Sequence, residues 1–395
     1  MVLCWPAITQ GCRLYKAGKR RTFGCYLQIA RVAVPSLKLN EEKNEMIIDI
    51  AEAFIERRQS LSVTDEALSR IAAAYEKSKM EQASAGSHYQ VSREWLPIYS
   101  GYMQKIMTVL EQKDISGMRR LYENFFREDL STGLHGMNFS MVEKYMTPDK
   151  LIAEADLRVY MENCIRYANL FLRSCRNVPV SVLERPAIGN PYGYRLDETM
   201  VYIGAEYHYY YAEKIRMLLQ KMEHPIVMEL GGGFGGMAYY LMRDVPHGTY
   251  IGVDLPENAA LQAYYLMASF PDKKILLYGE EEIRDCDISK FDAIIIPNFA
   301  IETIFSDGVN LSFNSYSLAE MSLETIESYL KTICRVSSDY FYHVNHTVWE
   351  VNADLFPIDY EKFDLLFRFP TMWGKDPQQL VVDQHDFIYQ RRCAN

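Results

Sequence analysis

A glycine-rich turn between an apolar run and a helical pattern is the feature that most constrains this chain. Residues 226–236 read Ile-Val-Met-Glu-Leu-Gly-Gly-Gly-Phe-Gly-Gly, and a helical pattern runs from Met237 to Arg243. Glycine lets a chain turn sharply from a strand into a helix while a ligand lies against the backbone. The helix N-terminus then presents unpaired N–H groups and the positive end of the helix dipole. The segment therefore predicts a site for a ligand with a negatively charged end.

The glycine spacing by itself fits more than one cofactor. Gly231, Gly233 and Gly236 satisfy the dinucleotide fingerprint G-x-G-x-x-G, which requires a strand before it and a helix after it. A second strand pattern, 249–253, ends at Asp254, where an acid can accept hydrogen bonds from both ribose hydroxyls of an adenosine. NAD and S-adenosylmethionine (SAM) both carry that ribose, so Asp254 does not distinguish them.

The acid at the end of the first strand does distinguish them. SAM ends in an amino acid, so Glu229 can meet its ammonium group while the glycine N–H groups meet its carboxylate. In an NAD or FAD site the same position faces a pyrophosphate, which an acid repels. We therefore expect SAM, ahead of NAD, FAD or a glycine turn without a ligand. The predicted cofactor-binding residues are Glu229, Gly231, Gly232, Gly233, Phe234, Gly235, Asp254, Leu255 and Asn298.

Composition excludes several classes of protein. The formal net charge of −10 argues against general nucleic-acid binding. The eight cysteines are scattered without a C-x-x-C pair, which argues against a disulfide framework and a zinc site and suits a reducing cytoplasm. No apolar run reaches the roughly 18 residues of a membrane span. We expect a cytoplasmic protein with a small-molecule or glycan partner, and the sequence does not define its oligomeric state.

The chain divides into three parts by pattern. Residues 1–40 carry seven basic residues and no acid, and we expect a disordered or loosely packed tail there. Residues 41–197 show mostly helical periodicity and end in a connector, which predicts a mainly helical N-terminal or cap domain. Within it we expect helix caps at Thr64 and at Thr147, which Pro148 follows. Residues 198–395 hold the ligand-binding domain, which opens with a helix predicted from Glu198 to Met222.

The last part alternates between strands and helices. Strand patterns lie at 226–230, 249–253, 274–278, 291–296, 339–344, 363–369 and 386–391. Such alternation predicts a mostly parallel sheet wound on both faces, an α/β fold of the Rossmann-like kind. The last two strands have no long helix between them, so we expect an antiparallel pair at one edge of the sheet.

Histidines near strand ends are candidates for a general base. Ligands of an open parallel sheet bind at the carboxyl ends of its strands, and histidine titrates near working pH. The candidates are His343, His346 and His208, and His343 is favoured because strand alternation places it on one face with Asn345. A metal site is not expected, because two histidines alone make a poor ligand set.

Short polar side chains are candidates for contact with an acceptor. Asn314, Ser315 and Tyr316 precede Ser317 and Glu320, which fit a capping box for the next helix. The predicted acceptor-binding residues are Tyr210, Asn314, Ser315, Tyr316 and Asn345. Tyr207 and Tyr211 lie on an apolar helical stripe and are predicted to pack in the core.

Four segments resemble the sugar O-methyltransferases, a family of class I SAM-dependent methyltransferases. They are Glu229-Leu-Gly-Gly-Gly-Phe-Gly-Gly236, Gly252-Val-Asp-Leu-Pro-Glu257, Asn314-Ser-Tyr-Ser-Leu-Ala-Glu-Met321 and Tyr342-His-Val-Asn345. The resemblance covers about residues 200–395. It implies SAM as cofactor and methyl transfer to a hydroxyl of a sugar or of a glycosylated small molecule. Alternatives are an O or N acceptor that is not a sugar, a SAM-binding module without turnover and, least favoured, an NAD-dependent oxidoreductase.

Overall fold

The computed structural model describes residues 31–35, 45–57, 63–92, 95–134, 154–377 and 380–392. Most of the basic segment 1–40 therefore lies outside the described residues, as does the helix start predicted at Thr147. The described part of that segment is a strand, β1 (Arg31–Pro35), where we expected a loose tail.

A small antiparallel sheet joins distant parts of the chain. Its order is β1, β2 (Glu45–Asp49), β3 (Gly193–Leu196) and β4 (Thr199–Tyr202). The helix expected from residue 41 is wrong at β2, because residues 45–49 pair antiparallel with β1, and Ile48 and Asp49 also pair with β3. The β3–β4 hairpin also spans residue 198, where the sequence places both a domain boundary and a helix start.

Five α-helices lie in the described residues of the N-terminal part. They are α1 (Asp65–Gln82), α2 (Leu96–Gly101), α3 (Gln104–Glu111), α4 (Ile115–Tyr122) and α5 (Glu154–Ser174). The predicted Thr64 cap of α1 is confirmed, since its hydroxyl accepts a hydrogen bond from the Ala67 N–H at 3.2 Å.

The larger sheet is a mostly parallel one with helices on both faces. Its strands are β5 (Ile226–Leu230), β6 (Thr249–Asp254), β7 (Ile275–Leu277), β8 (Ala293–Pro297), β9 (Val309–Ser315), β10 (Ser337–His346), β11 (Phe363–Pro370) and β12 (Gln384–Arg391). The accompanying helices are α6 (Ala205–Leu218), α7 (Gly236–Asp244), α8 (Pro256–Ser269) and α9 (Leu323–Val336). The Rossmann-like α/β fold is therefore present.

The strand order contains a reversal at its centre. The order is β11-β12-β10-β9-β5-β6-β8-β7. From β5 the chain builds β6, β7 and β8 on one side, and then crosses back to place β9 on the other. The predicted antiparallel edge is confirmed, because β12 runs antiparallel to both β10 and β11.

Strand β9 is absent from the sequence prediction, although it lies beside β5. Every second residue of β9 is polar, which obscures a buried strand. Asn310 accepts a hydrogen bond from the Ile226 N–H, Ser312 bonds Ser337, and Asn314 donates to the Leu230 carbonyl. These bonds satisfy the polar groups inside the sheet and allow them to be buried.

A buried carboxylate joins the N-terminal helices to the larger sheet. Glu257 lies in the first turn of α8, and its side chain is 0% exposed. It pairs with Lys79 Nζ at 2.9 Å and accepts a hydrogen bond from the Tyr75 hydroxyl at 3.2 Å, both from α1. Side chains of α1, α8 and the sheet belong to one continuous hydrophobic core. The N-terminal helices therefore form a wall of the larger domain.

This contact predicts a stability effect. Glu257→Gln should lower the free energy of unfolding by about 2 kcal/mol, because a charge-assisted contact between two buried helices is lost. Glu327→Gln serves as the control, since it removes only an exposed pair with Lys331 on α9. Thermal unfolding of both variants checks the prediction, and equal midpoints would contradict the role given to Glu257.

Candidate functional site

The reversal of strand order locates a crevice. In open α/β sheets, ligands bind outside the carboxyl ends of the strands at the point where the order reverses. Here that point lies between β5 and β9, which run parallel with Leu230 opposite Asn314. The glycine turn follows β5, and residues 314–317 follow or end β9. The crevice is thus bordered by two of the segments that the sequence singled out.

The glycine turn has a backbone that few other residues adopt. Gly231, Gly233 and Gly235 have φ values of 78°, 55° and 92°. A Cβ at Gly231 would collide with Ser317, and one at Gly235 would press on Leu266 of α8 at 3.4 Å. Among the described residues, a Cβ at Gly233 would meet Leu134 alone, at 3.6 Å. This glycine therefore lies next to the N-terminal part of the chain.

Below this turn, Glu229 lies in a buried polar network. It is 2% exposed, and its carboxylate accepts a hydrogen bond from the Tyr250 hydroxyl at 2.6 Å. Gln262 of α8 in turn donates to the Tyr250 oxygen at 2.9 Å, and its own Oε1 is buried without a hydrogen-bond partner in the described parts of the chain. Burial raises the pKa of Glu229 to about 8, Asp254 adds to the rise, and no cation among the described residues offsets it. The site therefore holds a carboxyl group that a cationic ligand would ionise.

Asp254 is more constrained than the sequence predicts. One oxygen accepts from the Gly233 N–H at 2.8 Å. The other accepts from the Leu255 N–H at 2.7 Å and from Asn258 Nδ2 at 3.0 Å. A carboxylate has about four acceptor positions, so about one remains for a ligand. Burial raises the pKa of Asp254 to about 6. Asp254 can therefore accept a hydrogen bond from about one ribose hydroxyl, and not from both as the sequence predicted.

The neighbouring strand end contributes unpaired acceptors. Asn298 follows β8 and donates through Nδ2 to the Tyr89 carbonyl at 2.9 Å and the Tyr329 hydroxyl at 3.1 Å. Its Oδ1, like that of Asn258, is buried without a hydrogen-bond partner among the described residues. Buried acceptors of this kind call for a donor. Leu255, which is partly exposed, lies between Asp254 and the first residue of α8.

A chain of amides runs along the other side of the crevice. Asn314 donates to the Leu230 carbonyl at 2.9 Å and to Ser317 Oγ at 2.6 Å, and its Oδ1 accepts from Asn345 at 3.0 Å. Both amides are 0% exposed. They therefore brace β5, β9 and β10 and are not free to bind an acceptor, contrary to expectation. Ser317 is missing from the predicted site, because we expected it to cap a helix; the actual cap of α9 is Ser322.

His343 occupies the core of the sheet. Its ring is 0% exposed and stacks on Phe387 with centroids 4.7 Å apart. Asn345 Nδ2 lies 3.3 Å from its Nδ1, and its Nε2 has no hydrogen-bond partner in the described structure. Burial lowers the pKa of His343 to about 3. A general base must lie within hydrogen-bonding reach of the proton that it removes. The buried position of His343 therefore does not suit the role of general base that the sequence predicted for it.

His346 has the geometry that His343 lacks. It ends β10 on the opposite face of the strand, and its Nδ1 lies 2.6 Å from an oxygen of Asp383. Its ring stacks on Trp349 at 3.8 Å and lies 5.6 Å from the ring of Tyr316. A carboxylate on Nδ1 fixes the tautomer and leaves Nε2 to take a proton. Sequence alone did not indicate Asp383, because it lies 37 residues further along the chain.

Three other predicted residues are buried away from the crevice. Tyr210 donates to Asp386 at 2.7 Å and is 2% exposed. The Phe234 side chain is 1% exposed among Phe125, Phe126 and Tyr265, so only its backbone faces the turn. His208 packs edge-on against Phe234, and burial holds its pKa well below the usual value. None of these three side chains reaches the place that an acceptor would occupy.

Tyr316 and Ser315 do lie at the rim. Tyr316 has φ of 67°, a conformation that costs energy outside glycine and often marks functional sites. Its hydroxyl contacts Tyr211 at 2.9 Å and donates to Gln384 at 3.1 Å, so the hydroxyl is engaged within the protein. Ser315 is partly exposed at the end of β9.

Two kinds of feature are absent from the described residues. No helix among them has the length and apolar character to cross a membrane. No three of their His, Cys, Asp and Glu side chains group as ligands for a metal ion.

Comparison with known proteins finds similarity at the level of solved structures. No protein family and no curated protein matches this chain. TrmN from Thermus thermophilus is 13% identical, with a TM-score of 0.33 over 47% of this chain and 49% of that chain. This chain thus spans about half of that protein.

Two further similar structures carry the name methyltransferase. The N-methyltransferase NodS from Bradyrhizobium japonicum, solved with S-adenosylhomocysteine (SAH), is 11% identical, with a TM-score of 0.33 over 58% of this chain and 99% of that chain. The magnesium protoporphyrin IX methyltransferase of Synechocystis PCC 6803, solved with SAM, is 7% identical, with a TM-score of 0.33 over 48% and 81%. TM-scores this low carry no argument about this chain.

The raised pKa of Glu229 predicts a pH-dependent stability. Below its unfolded pKa near 4.5 the group is protonated in both states, and between 4.5 and about 8 only the unfolded state ionises. Wild-type stability therefore falls through this window, by up to about 1.4 kcal/mol per pH unit. Glu229→Gln lacks this loss, so the variant should gain stability relative to wild type from pH 5 to pH 8. Thermal unfolding at both pH values checks it; a constant difference would mean that Glu229 is ionised in the folded state.

Proposed function

We propose that the protein transfers the methyl group of SAM to a hydroxyl oxygen of a sugar or of a glycosylated small molecule. The observation that carries the proposal is the buried Glu229 carboxyl beneath a glycine turn at the reversal point of the sheet. A carboxyl group without a cationic partner, at the usual place of a nucleoside cofactor, calls for a ligand that brings a cation. The amino-acid end of SAM brings one.

The surrounding residues fit this cofactor at both ends. Next to Glu229, the first turn of α7 presents N–H groups that have no partner within the helix and suit a carboxylate. At the other end, Asp254 keeps about one acceptor position for a ribose hydroxyl. The unpaired Oδ1 atoms of Asn258 and Asn298 suit the donors of a nucleoside. NAD fits less well, because its pyrophosphate brings no cation to pair with Glu229.

SAM supplies an electrophilic methyl group on a sulfonium. The chain supplies position and proton transfer. Ser317 lies against Gly231 at the crevice, so its hydroxyl and the partly exposed Ser315 can orient an acceptor. Holding two reactants in register is a large part of what such a site contributes to rate. The Asn314–Asn345 chain keeps these strand ends aligned.

His346 is the base that the geometry favours. Its Nδ1 is held by Asp383, so Nε2 is the position that accepts the proton of the acceptor hydroxyl. Asp383 also stabilises the imidazolium that results. A hydroxyl needs such a base because it is a weak nucleophile while protonated. The sugar assignment itself rests on the resemblance of residues 314–321 and 342–345 to the sugar O-methyltransferases.

Calorimetry tests the cofactor assignment. Wild-type protein should bind SAM and SAH and should not bind NAD. Because binding requires ionised Glu229, SAM affinity should rise from pH 6 to pH 8. Glu229→Gln should weaken SAM binding by roughly ten- to a hundredfold at pH 8, in line with about 1.5–3 kcal/mol for charged hydrogen bonds, and should lose the pH trend. Tight NAD binding without SAM binding would refute the proposal.

Asp254 gives a second, smaller effect. Asp254→Asn should weaken SAM binding by about tenfold, because one ribose contact changes while the contact with the Gly233 N–H can survive. Calorimetry of this variant checks the value. An unchanged affinity would mean that the nucleoside does not lie at the end of β6.

A matched pair of histidine variants tests the base. With labelled SAM and glycan extracts as acceptors, His346→Gln should lower turnover about 10²–10⁴-fold with SAM affinity nearly intact, and the acidic limb of the pH–rate profile should disappear. His343→Gln should keep that limb, because the buried ring takes no proton near neutral pH. If only His343→Gln removes the acidic limb of the pH–rate profile, His343 is the base and His346 is not. Binding of SAM without any labelled product would favour a binding module without turnover.

A further inference from the structure

Exposed apolar side chains flank the proposed base on two short segments. Val348 and Trp349, which follow β10, are 56% and 48% exposed. Leu380 and Val381, which precede β12, are fully exposed and 60% exposed. We call these four residues the apolar rim. Single exposed apolar residues are ordinary, but a group of large ones beside a reactive side chain marks a contact surface.

Asp383 holds the two segments of the apolar rim together. Its Oδ1 accepts from the N–H groups of Thr347 and Val348, both at 3.1 Å. Its carbonyl accepts from the Thr347 N–H at 2.7 Å and hydroxyl at 2.6 Å. The same carboxylate holds His346. The residue that orients the base therefore also fixes the apolar surface around it.

The rim begins at the base itself. The rings of Trp349 and His346 lie 11° from parallel, so Trp349 covers one face of the imidazole while about half of its own surface stays exposed. An acceptor whose hydroxyl approaches His346 therefore lies beside the exposed part of Trp349. A plain sugar would leave Val348, Leu380 and Val381 in water, whereas an apolar group attached to the sugar would cover them.

We infer that the acceptor is a glycoside with an apolar aglycone, which docks on the apolar rim while its sugar hydroxyl faces His346. This rests on the proposed function and narrows its substrate class. The occupant is a small molecule because the rim is continuous with the ring that takes the proton. An anionic membrane surface fits less well, because the chain carries a net charge of −10.

Two glucosides with one sugar and different aglycones test the inference. SAH-loaded protein is titrated by ligand-observed NMR with octyl β-D-glucopyranoside and with methyl β-D-glucopyranoside, both far below the micelle concentration. The octyl compound should bind about tenfold tighter or more, since burying two methylene groups already gives such a factor. The double variant Val348→Ser with Leu380→Ser should reduce the preference, because it removes the apolar side chain of one residue from each segment of the apolar rim. Leu323→Ser, which changes an equally exposed leucine on α9, should retain it.

Several outcomes would overturn the inference. It is overturned if the two glucosides bind equally or if neither binds. It is also overturned if the preference for the octyl compound is as large in the double variant as in wild type. Sedimentation of the protein with phosphatidylcholine vesicles, without a preference between the glucosides, would assign the rim to a lipid surface. SAH binding in the same samples separates the two proposals: its absence refutes the proposed function, whereas SAH binding without an aglycone preference refutes only this inference.

Discussion

A buried carboxyl group without a cationic partner lies where the sheet reverses its strand order, and much of the surrounding structure follows from it. Glu229 is under the glycine turn, so Tyr250 and Gln262 must supply its polar surroundings. Those side chains occupy the space next to the turn, and a Cβ at Gly232 or Gly252 would collide with Gln262. Such an arrangement costs stability at neutral pH, and a cationic ligand reverses that cost.

The two sides of the crevice are built differently. On the side of β6 and β8, carboxylate and amide oxygens remain available, with Asp254 partly engaged and Asn298 Oδ1 unpaired. On the side of β9 and β10, Asn314 and Asn345 use their amides on each other and on the backbone, which makes that side rigid. This asymmetry suits a site in which one side of the crevice binds a nucleoside and the other side holds a reacting group at the edge of the crevice.

Sequence reasoning predicted what depends on local pattern. The glycine turn, Glu229, Asp254, the Thr64 cap and the antiparallel edge each have a signal within a few residues. Long-range pairing had no such signal. Residues 45–49 have a helical pattern, but they pair with β1, and Ile48 and Asp49 also pair with β3. The polar residues of β9 are explained by partners such as Ser337. His343 and His346 differ through Phe387 and Asp383, which lie about forty residues away along the chain.

A crystal structure of the protein with bound SAH tests the central claim most directly. The account predicts that the ammonium group of the ligand lies within hydrogen-bonding distance of the Glu229 carboxylate, with the ribose beside Asp254 and the sulfur facing the crevice between β5 and β9. A ligand bound elsewhere would contradict the account. So would a ligand in the crevice whose ammonium group is held by other residues while Glu229 keeps only its contact with Tyr250.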